Sequence, residues 1–159
     1  VEVDSAEEVL QNWEEIKLKE GSKGVLTGVP LSLPAMVKAN RIQEKVHGVG
    51  FDWKKKEEVW QKVEEEIQEL KLELIKAPEN SAVSNSIEKE AEFGDLLFSI
   101  INAARLYGVD PENALQRTNL KFIDRFQYIE QKASENGKSI RDMSLEEMDA
   151  FWEEAKKQK

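Results

Sequence analysis

Trp60-Gln-Lys-Val-Glu-Glu-Glu-Ile-Gln-Glu-Leu-Lys-Leu-Glu-Leu74 carries two stripes at once. Trp60, Val63, Ile67, Leu70 and Leu74 recur every three or four residues, the period of one helix face. Lys62, Glu66, Glu69 and Glu73 recur with the same spacing on the neighbouring face. The segment therefore predicts an amphipathic helix over about 55–76, with an acidic stripe bordering an apolar seam.

Further along the chain, Glu92-Phe-Gly-Asp95 repeats the theme. It lies in a predicted helix over about 87–107, with Phe93, Leu96, Leu97, Ile100, Ile101 and Ala104 on one face. Glu92, Asp95, Ser99 and Asn102 form its polar stripe. Between the two helices, Ala77 to Ser86 reads as a loop around Pro78 and Asn80. Gly108 stands where a helix-ending glycine belongs. Asp110-Pro111 then opens a helix of about 111–134 with Leu115, Phe122, Phe126 and Ile129 inward. Further helices are predicted from Pro34 to about Val46 and over about 145–157. No convincing strand appears, so the expected fold is all-α, a helical bundle.

The amino-terminal stretch carries a short repeat. Ser5-Ala-Glu-Glu-Val-Leu-Gln-Asn-Trp-Glu-Glu-Ile-Lys17 matches Ser144-Leu-Glu-Glu-Met-Asp-Ala-Phe-Trp-Glu-Glu-Ala-Lys156 at seven of thirteen positions, the tryptophan included. Each copy begins with Ser-x-x-Glu, a capping box. Two similar terminal helices would explain this. So would a first copy that is the end of a preceding homologous domain, and the chain begins at Val1 without a methionine. The expected organisation is a helix of a preceding domain at 1–20, a linker at 21–32 with Gly21, Gly24, Gly28 and Pro30, and a catalytic domain at 33–159.

Composition narrows the function. The 159 residues carry a formal net charge of −9. Such a surface argues against nucleic acid, whose binding rests on Lys and Arg neutralising phosphates, and against anionic membranes. No apolar run approaches a membrane span and no signal peptide is visible, which fits a cytoplasmic location. The chain has no cysteine, which removes thiol nucleophiles and Cys-ligated metals. The absence of a Gly-x-x-x-x-Gly-Lys loop excludes P-loop chemistry. His47, the single histidine, reads as structural before its glycine turn.

The acids carry the chemistry. Glu66 with Glu69, and Glu92 with Asp95, are three residues apart and so share helix faces. Two antiparallel helices would aim all four carboxylates at one point, where a hard cation would relieve their repulsion. A carboxylate-only set favours Mg²⁺, with Mn²⁺ as a substitute, over zinc or a di-iron centre. Mg²⁺ joins a few carboxylates to substrate phosphates, so an acidic protein can hold a polyphosphate through metal. Lys121 and Arg125, four apart, offer a point charge and a planar fork for phosphate oxygens. Lys62, one turn before Glu66, would touch phosphate or pair with Glu66. Trp152 would stack on a base or fill the core. Gly94 lies mid-helix, at a cost of roughly 1 kcal/mol relative to Ala, and predicts the close approach of another backbone or a ligand.

These motifs resemble the MazG-type nucleoside triphosphate pyrophosphohydrolases, all-α relatives of dimeric dUTPases. Leu33-Pro-Ala-Met-Val-Lys-Ala-Asn-Arg-Ile-Gln-Glu-Lys45, Val49-Gly-Phe-Asp-Trp53, Glu92-Phe-Gly-Asp-Leu-Leu-Phe98, Asn119-Leu-Lys-Phe122 and Glu146-Glu-Met-Asp-Ala-Phe-Trp152 are all similar to the C-terminal half of tandem bacterial MazG. The resemblance implies Mg²⁺-dependent hydrolysis of a nucleoside triphosphate to the monophosphate and pyrophosphate. It implies Glu66, Glu69, Glu92 and Asp95 as metal ligands, and Lys62, Lys121, Arg125 and Trp152 as nucleotide contacts. Glu65 or Glu69 is the candidate to activate water. The family can place a basic residue four before the first acid of the second pair; here Glu88 stands at that spacing, with Lys89 beside it. A homodimer or higher homo-oligomer is expected. The other class of function compatible with the residues is a helical module that binds nucleotide or metal without turnover.

Overall fold

The computed structural model describes residues 24–76 and 84–158. The predicted helix at Glu7–Lys17, the first copy of the tryptophan repeat and the start of the linker lie outside them. Residues 24–32 follow a run of turns. Among the described residues the regular structure is helical throughout: α1 Ala35–His47, α2 Val59–Lys76, α3 Ser84–Leu106, α4 Pro111–Glu135 and α5 Leu145–Lys157, with short 3₁₀ turns at Lys56–Glu58 and Ile140–Asp142. The all-α expectation holds, with the predicted helix boundaries met to within about four residues.

The helices divide into two compact units, the first extending to Pro111 and the second from Glu112 onward. In the first, α2 and α3 pack most extensively and α1 also packs on α3. Val59 and Val63 share a core cluster with Ala103, flanked by Ile67, Leu96 and Leu106. Early residues of α2 thus meet late residues of α3, so the two helices run antiparallel. The predicted seam is shifted by one residue at its start: Val59 is 1% exposed while Trp60 is half exposed and donates its indole N–H to the Tyr107 hydroxyl at 3.0 Å. A glycine cap closes α3, as Gly108 (φ 70°) lets its N–H reach Arg105 O while the Val109 N–H reaches Ala104 O.

The second unit is built on Ile129, Ala133 and Met143, with Ile140, Met148, Phe151 and Trp152 packed around them. Gly137 (φ 66°) supplies the left-handed turn after α4. The predicted capping box opens α5, with the Glu147 N–H donating to Ser144 Oγ at 3.2 Å and the Ser144 N–H to Glu147 Oε2 at 2.9 Å.

Several residues expected inward are not covered by this chain. Phe93, Leu97 and Ile100 on α3 are 49%, 53% and 45% exposed, and Leu74, Leu115, Phe122 and Phe126 are also substantially exposed. Periodicity marks a face for burial without saying which surface buries it. At Gly94 a Cβ would meet nothing within 4 Å among the described residues, so they do not supply the expected close approach.

Candidate metal centre and its cavity

Glu66 and Glu69 lie one turn apart on α2, and the antiparallel α3 brings Glu92 to them. Each of the three offers a carboxylate oxygen, and these oxygens lie within 4.8 Å of one another. Glu66 is buried at 5% exposure and Glu92 half-buried. Lys62 Nζ reaches Glu66 Oε1 at 2.6 Å and Glu65 Oε2 at 3.1 Å. Glu66 Oε2 and Glu92 Oε2, by contrast, are buried without a hydrogen-bond partner. Carboxylate oxygens in that state are costly unless a cation or donor joins them. Burial raises the Glu92 pKa above its ordinary value, and the charges of Glu69, Asp95, Glu66 and Glu73 raise it further. The Lys62 pKa is also raised, with the opposite effect on charge: its hydrogen bonds to Glu66 and then Glu65 hold the ammonium firmly protonated.

These observations fit a divalent cation. The donors are all hard oxygens, two of them orphaned, on rigid helices, as Mg²⁺ or Mn²⁺ requires. Asp95 falls outside the three-oxygen cluster, yet its charge acts on Glu92 and it lines the adjoining cavity together with Glu66.

That cavity has a volume of about 650 Å³ and is lined by α1, α2, α3 and the segment 50–53. Ile42, Val46, Phe51 and Phe98 make much of its wall apolar, with Lys62, Glu66 and Asp95 contributing charge. Sequence reasoning about ligands missed four residues here. Gln43, 3% exposed, donates through Nε2 to Phe98 O at 2.9 Å. Arg105 donates to Asp52 Oδ1 at 2.7 Å and to Asn102 Oδ1 at 3.0 and 2.8 Å. Asp52 Oδ2 also lies 2.7 Å from His47 Nδ1, which bears out the structural reading of His47. Burial pushes the Asp52 carboxyl up, but the Arg105 hydrogen bond, the Trp53 N–H and the neighbouring positive charge outweigh it and hold the group below its ordinary value. No local signal marked this acid, since Phe51 and Trp53 beside it are exposed and its partner Arg105 lies 53 positions away.

In the second unit, Lys121 and Arg125 line a groove of about 520 Å³ on α4 and α5. The Arg125 guanidinium sits over the Trp152 ring at 5.5 Å, and Phe122 meets the same ring at 5.1 Å. Trp152 therefore joins core packing to a cation–π contact. Lys89 is half-buried on α3, one turn before Glu92.

Fold and site define an all-α protein whose acidic helix pair can hold a divalent cation beside a largely apolar cavity. Comparison with known proteins gives that class a family. No protein-family model matches the chain. It is 41% identical over 150 residues, 92% of its length, to the nucleoside triphosphate pyrophosphohydrolase/pyrophosphatase MazG of Thermotoga maritima, covering 54% of that relative. It is 38% identical over 159 residues to the nucleoside triphosphate pyrophosphohydrolase of Escherichia coli K12, covering 59% of it. A Bacillus subtilis protein, the uncharacterized YabN, is 45% identical over 159 residues, which make up 31% of it. The chain is a MazG homologue that spans just over half the length of the MazG relatives it matches.

Proposed function

We propose that this chain hydrolyses nucleoside triphosphates to nucleoside monophosphate and pyrophosphate with the help of Mg²⁺. The observation that carries the reading is the trio Glu66, Glu69 and Glu92 with its two orphaned, buried oxygens. The names of the MazG relatives supply the reaction class. Glu66, Glu69 and Glu92 would hold the cation, with Asp95 as the fourth carboxylate. A bound Mg²⁺ supplies Lewis-acid stabilisation of charge on the phosphate oxygens.

The chain's own groups do the rest. Lys62, charged beside Glu66, gives the triphosphate a positive contact at the edge of the acid cluster. In the second unit, Lys121 and Arg125 carry the charge that suits phosphate oxygens, with Trp152 backing the Arg125 guanidinium. Water attacks the α-phosphorus in line. Its oxygen–phosphorus bond forms as the bond to the α–β bridging oxygen breaks, and that oxygen leaves with pyrophosphate. Glu65 or Glu69 takes the water's proton. Positioning and electrostatics supply most of the acceleration.

The exposed stripe Phe93, Leu97 and Ile100 supports assembly as a homodimer, in which a second copy covers this apolar face. Sedimentation should therefore show a species larger than the 18.2 kDa chain. A stable, active monomer would remove that part of the reading. For the activity itself, pyrophosphate release is measured over a panel of ribo- and deoxyribonucleoside triphosphates with and without Mg²⁺. Metal-dependent release in equal amounts with the monophosphate is expected, and binding without turnover would return the chain to the interaction-module class.

A further inference from the structure

The cavity beside the acid cluster has a polarity of its own, fixed by Arg105. Arginine donates and never accepts. The end of the Asn102 amide facing Arg105 must therefore be its oxygen, and that oxygen takes two bonds, from Nε at 3.0 Å and from a terminal nitrogen at 2.8 Å. Asp52 locks the guanidinium from the other side at 2.7 Å, and His47 and the Trp53 N–H hold Asp52 in turn. Asn102 cannot flip without setting its NH₂ group against a guanidinium. The end left for the cavity is Nδ2, a donor.

The other polar groups of that wall offer the cavity no second donor. Gln43 gives its Nε2 to Phe98 O, and its Oε1, an acceptor, is buried without a hydrogen-bond partner. Ser99 turns its hydroxyl back onto Leu96 O at 2.8 Å. Lys62, Glu66 and Asp95 belong to the charged end. Asp95 and Asn102 are seven residues apart on α3, two turns along one helix face and about 10 Å along its axis. That separation is comparable to the reach from a nucleotide's phosphates to the far edge of its base. The walls between them, Phe98, Phe51, Ile42 and Val46, suit a flat apolar ring.

Resting on the triphosphate reading of the acid cluster, we propose that Asn102 is a specificity-determining residue that donates from Nδ2 to the distal edge of the substrate's base, with Arg105 and Asp52 as positioning residues. A base with a carbonyl oxygen at that edge gains a hydrogen bond. One with an amino group there opposes donor to donor against the cavity wall, which carries a penalty. The cavity thus selects oxo bases over their amino counterparts.

The test compares kcat/KM within two matched pairs, dUTP against dCTP and ITP against ATP, for the wild type, Asn102→Ala and Asn102→Asp. The wild type should favour the oxo member of each pair by at least ~10-fold. Asn102→Ala should flatten the ratio, and Asn102→Asp, which offers only acceptors, should move it toward the amino member. A second readout needs neither metal nor turnover: titration with inosine 5′-monophosphate, followed by NMR, should shift the Asn102 side-chain NH₂ signals, assigned by their loss in Asn102→Ala. Equal ratios in all three proteins, or an unmoved Asn102 signal at saturation, overturn the assignment. Wild-type protein that turns over no triphosphate would instead overturn the hydrolase reading, and the titration would still judge Asn102.

Discussion

Two sets of acids in the first unit are built in opposite ways. Asp52 is enclosed by partners: Arg105 on one oxygen, His47 on the other, and the Trp53 N–H besides. Its pKa is lowered. Glu66, Glu69 and Glu92 crowd one another, two of their oxygens have no partner, and the Glu92 pKa is raised. A satisfied buried charge holds structure in place. A set of unsatisfied like charges opposes folding unless something else arrives, and here the chemistry of the donors points to a divalent cation.

The comparison breaks most visibly in turnover. Glu69→Gln or Asp95→Asn should lower the rate by at least ~10²-fold, since each removes charge from the group that stabilises the transition state. Parent-like hydrolysis by either variant in excess Mg²⁺ would end the metal assignment. Next comes Lys121→Ala, expected to weaken kcat/KM by roughly 10-fold, about 1.4 kcal/mol of transition-state stabilisation, without unfolding the protein. Unchanged kinetics at sub-saturating nucleotide would make Lys121 a surface base only.

Thermal melts sharpen the contrast between the two acid sets. Without metal at neutral pH, Glu92→Gln should raise Tm by a few degrees because it relieves repulsion, and it should shrink the further rise produced by Mg²⁺. Asp52→Asn should lower Tm at the same pH. The pH dependence has a definite sign. Asp52 has a folded pKa below its ordinary 3.8, so its stabilisation is present above that value and is lost as pH falls through the folded one. The parent's advantage over Asp52→Asn should accordingly shrink in acid. If Glu92→Gln destabilises the metal-free protein, or Asp52→Asn is neutral, the two sets do not differ as described.

How far the sequence carried this picture follows from what each signal encodes. The helices were legible because the α2 and α3 stripes repeat at helical spacing and because Gly108, Pro111 and Ser144 mark ends by local chemistry. Glu66 and Glu69 were legible as a pair because neighbours on a helix face stay neighbours whatever the helix packs against, and Glu92 joined them only through the expectation that two antiparallel helices aim their acids at one point. Asp95 was expected as an equal fourth and stands outside the three-oxygen cluster. The Asp52–Arg105 pair was hidden, since its members lie 53 positions apart and meet only through packing. Exposure of Phe93, Leu97 and Ile100 was hidden for the same reason, as an apolar stripe does not name its cover.

The smallest expected effect concerns the amino-terminal residues. Deleting residues 1–24 should leave kcat/KM within about threefold of the parent, a barrier change under ~1 kcal/mol, if this segment takes no part in the active site. A folded deletion variant with no activity would give the first segment a part in the site.

The most direct test of the central claim is the location of a bound cation. Crystals grown with Mn²⁺ should show an anomalous difference peak bounded by Glu66, Glu69 and Glu92, and the peak should vanish in Glu69→Gln. A peak elsewhere, or none at millimolar Mn²⁺ with these carboxylates ordered, would contradict the account.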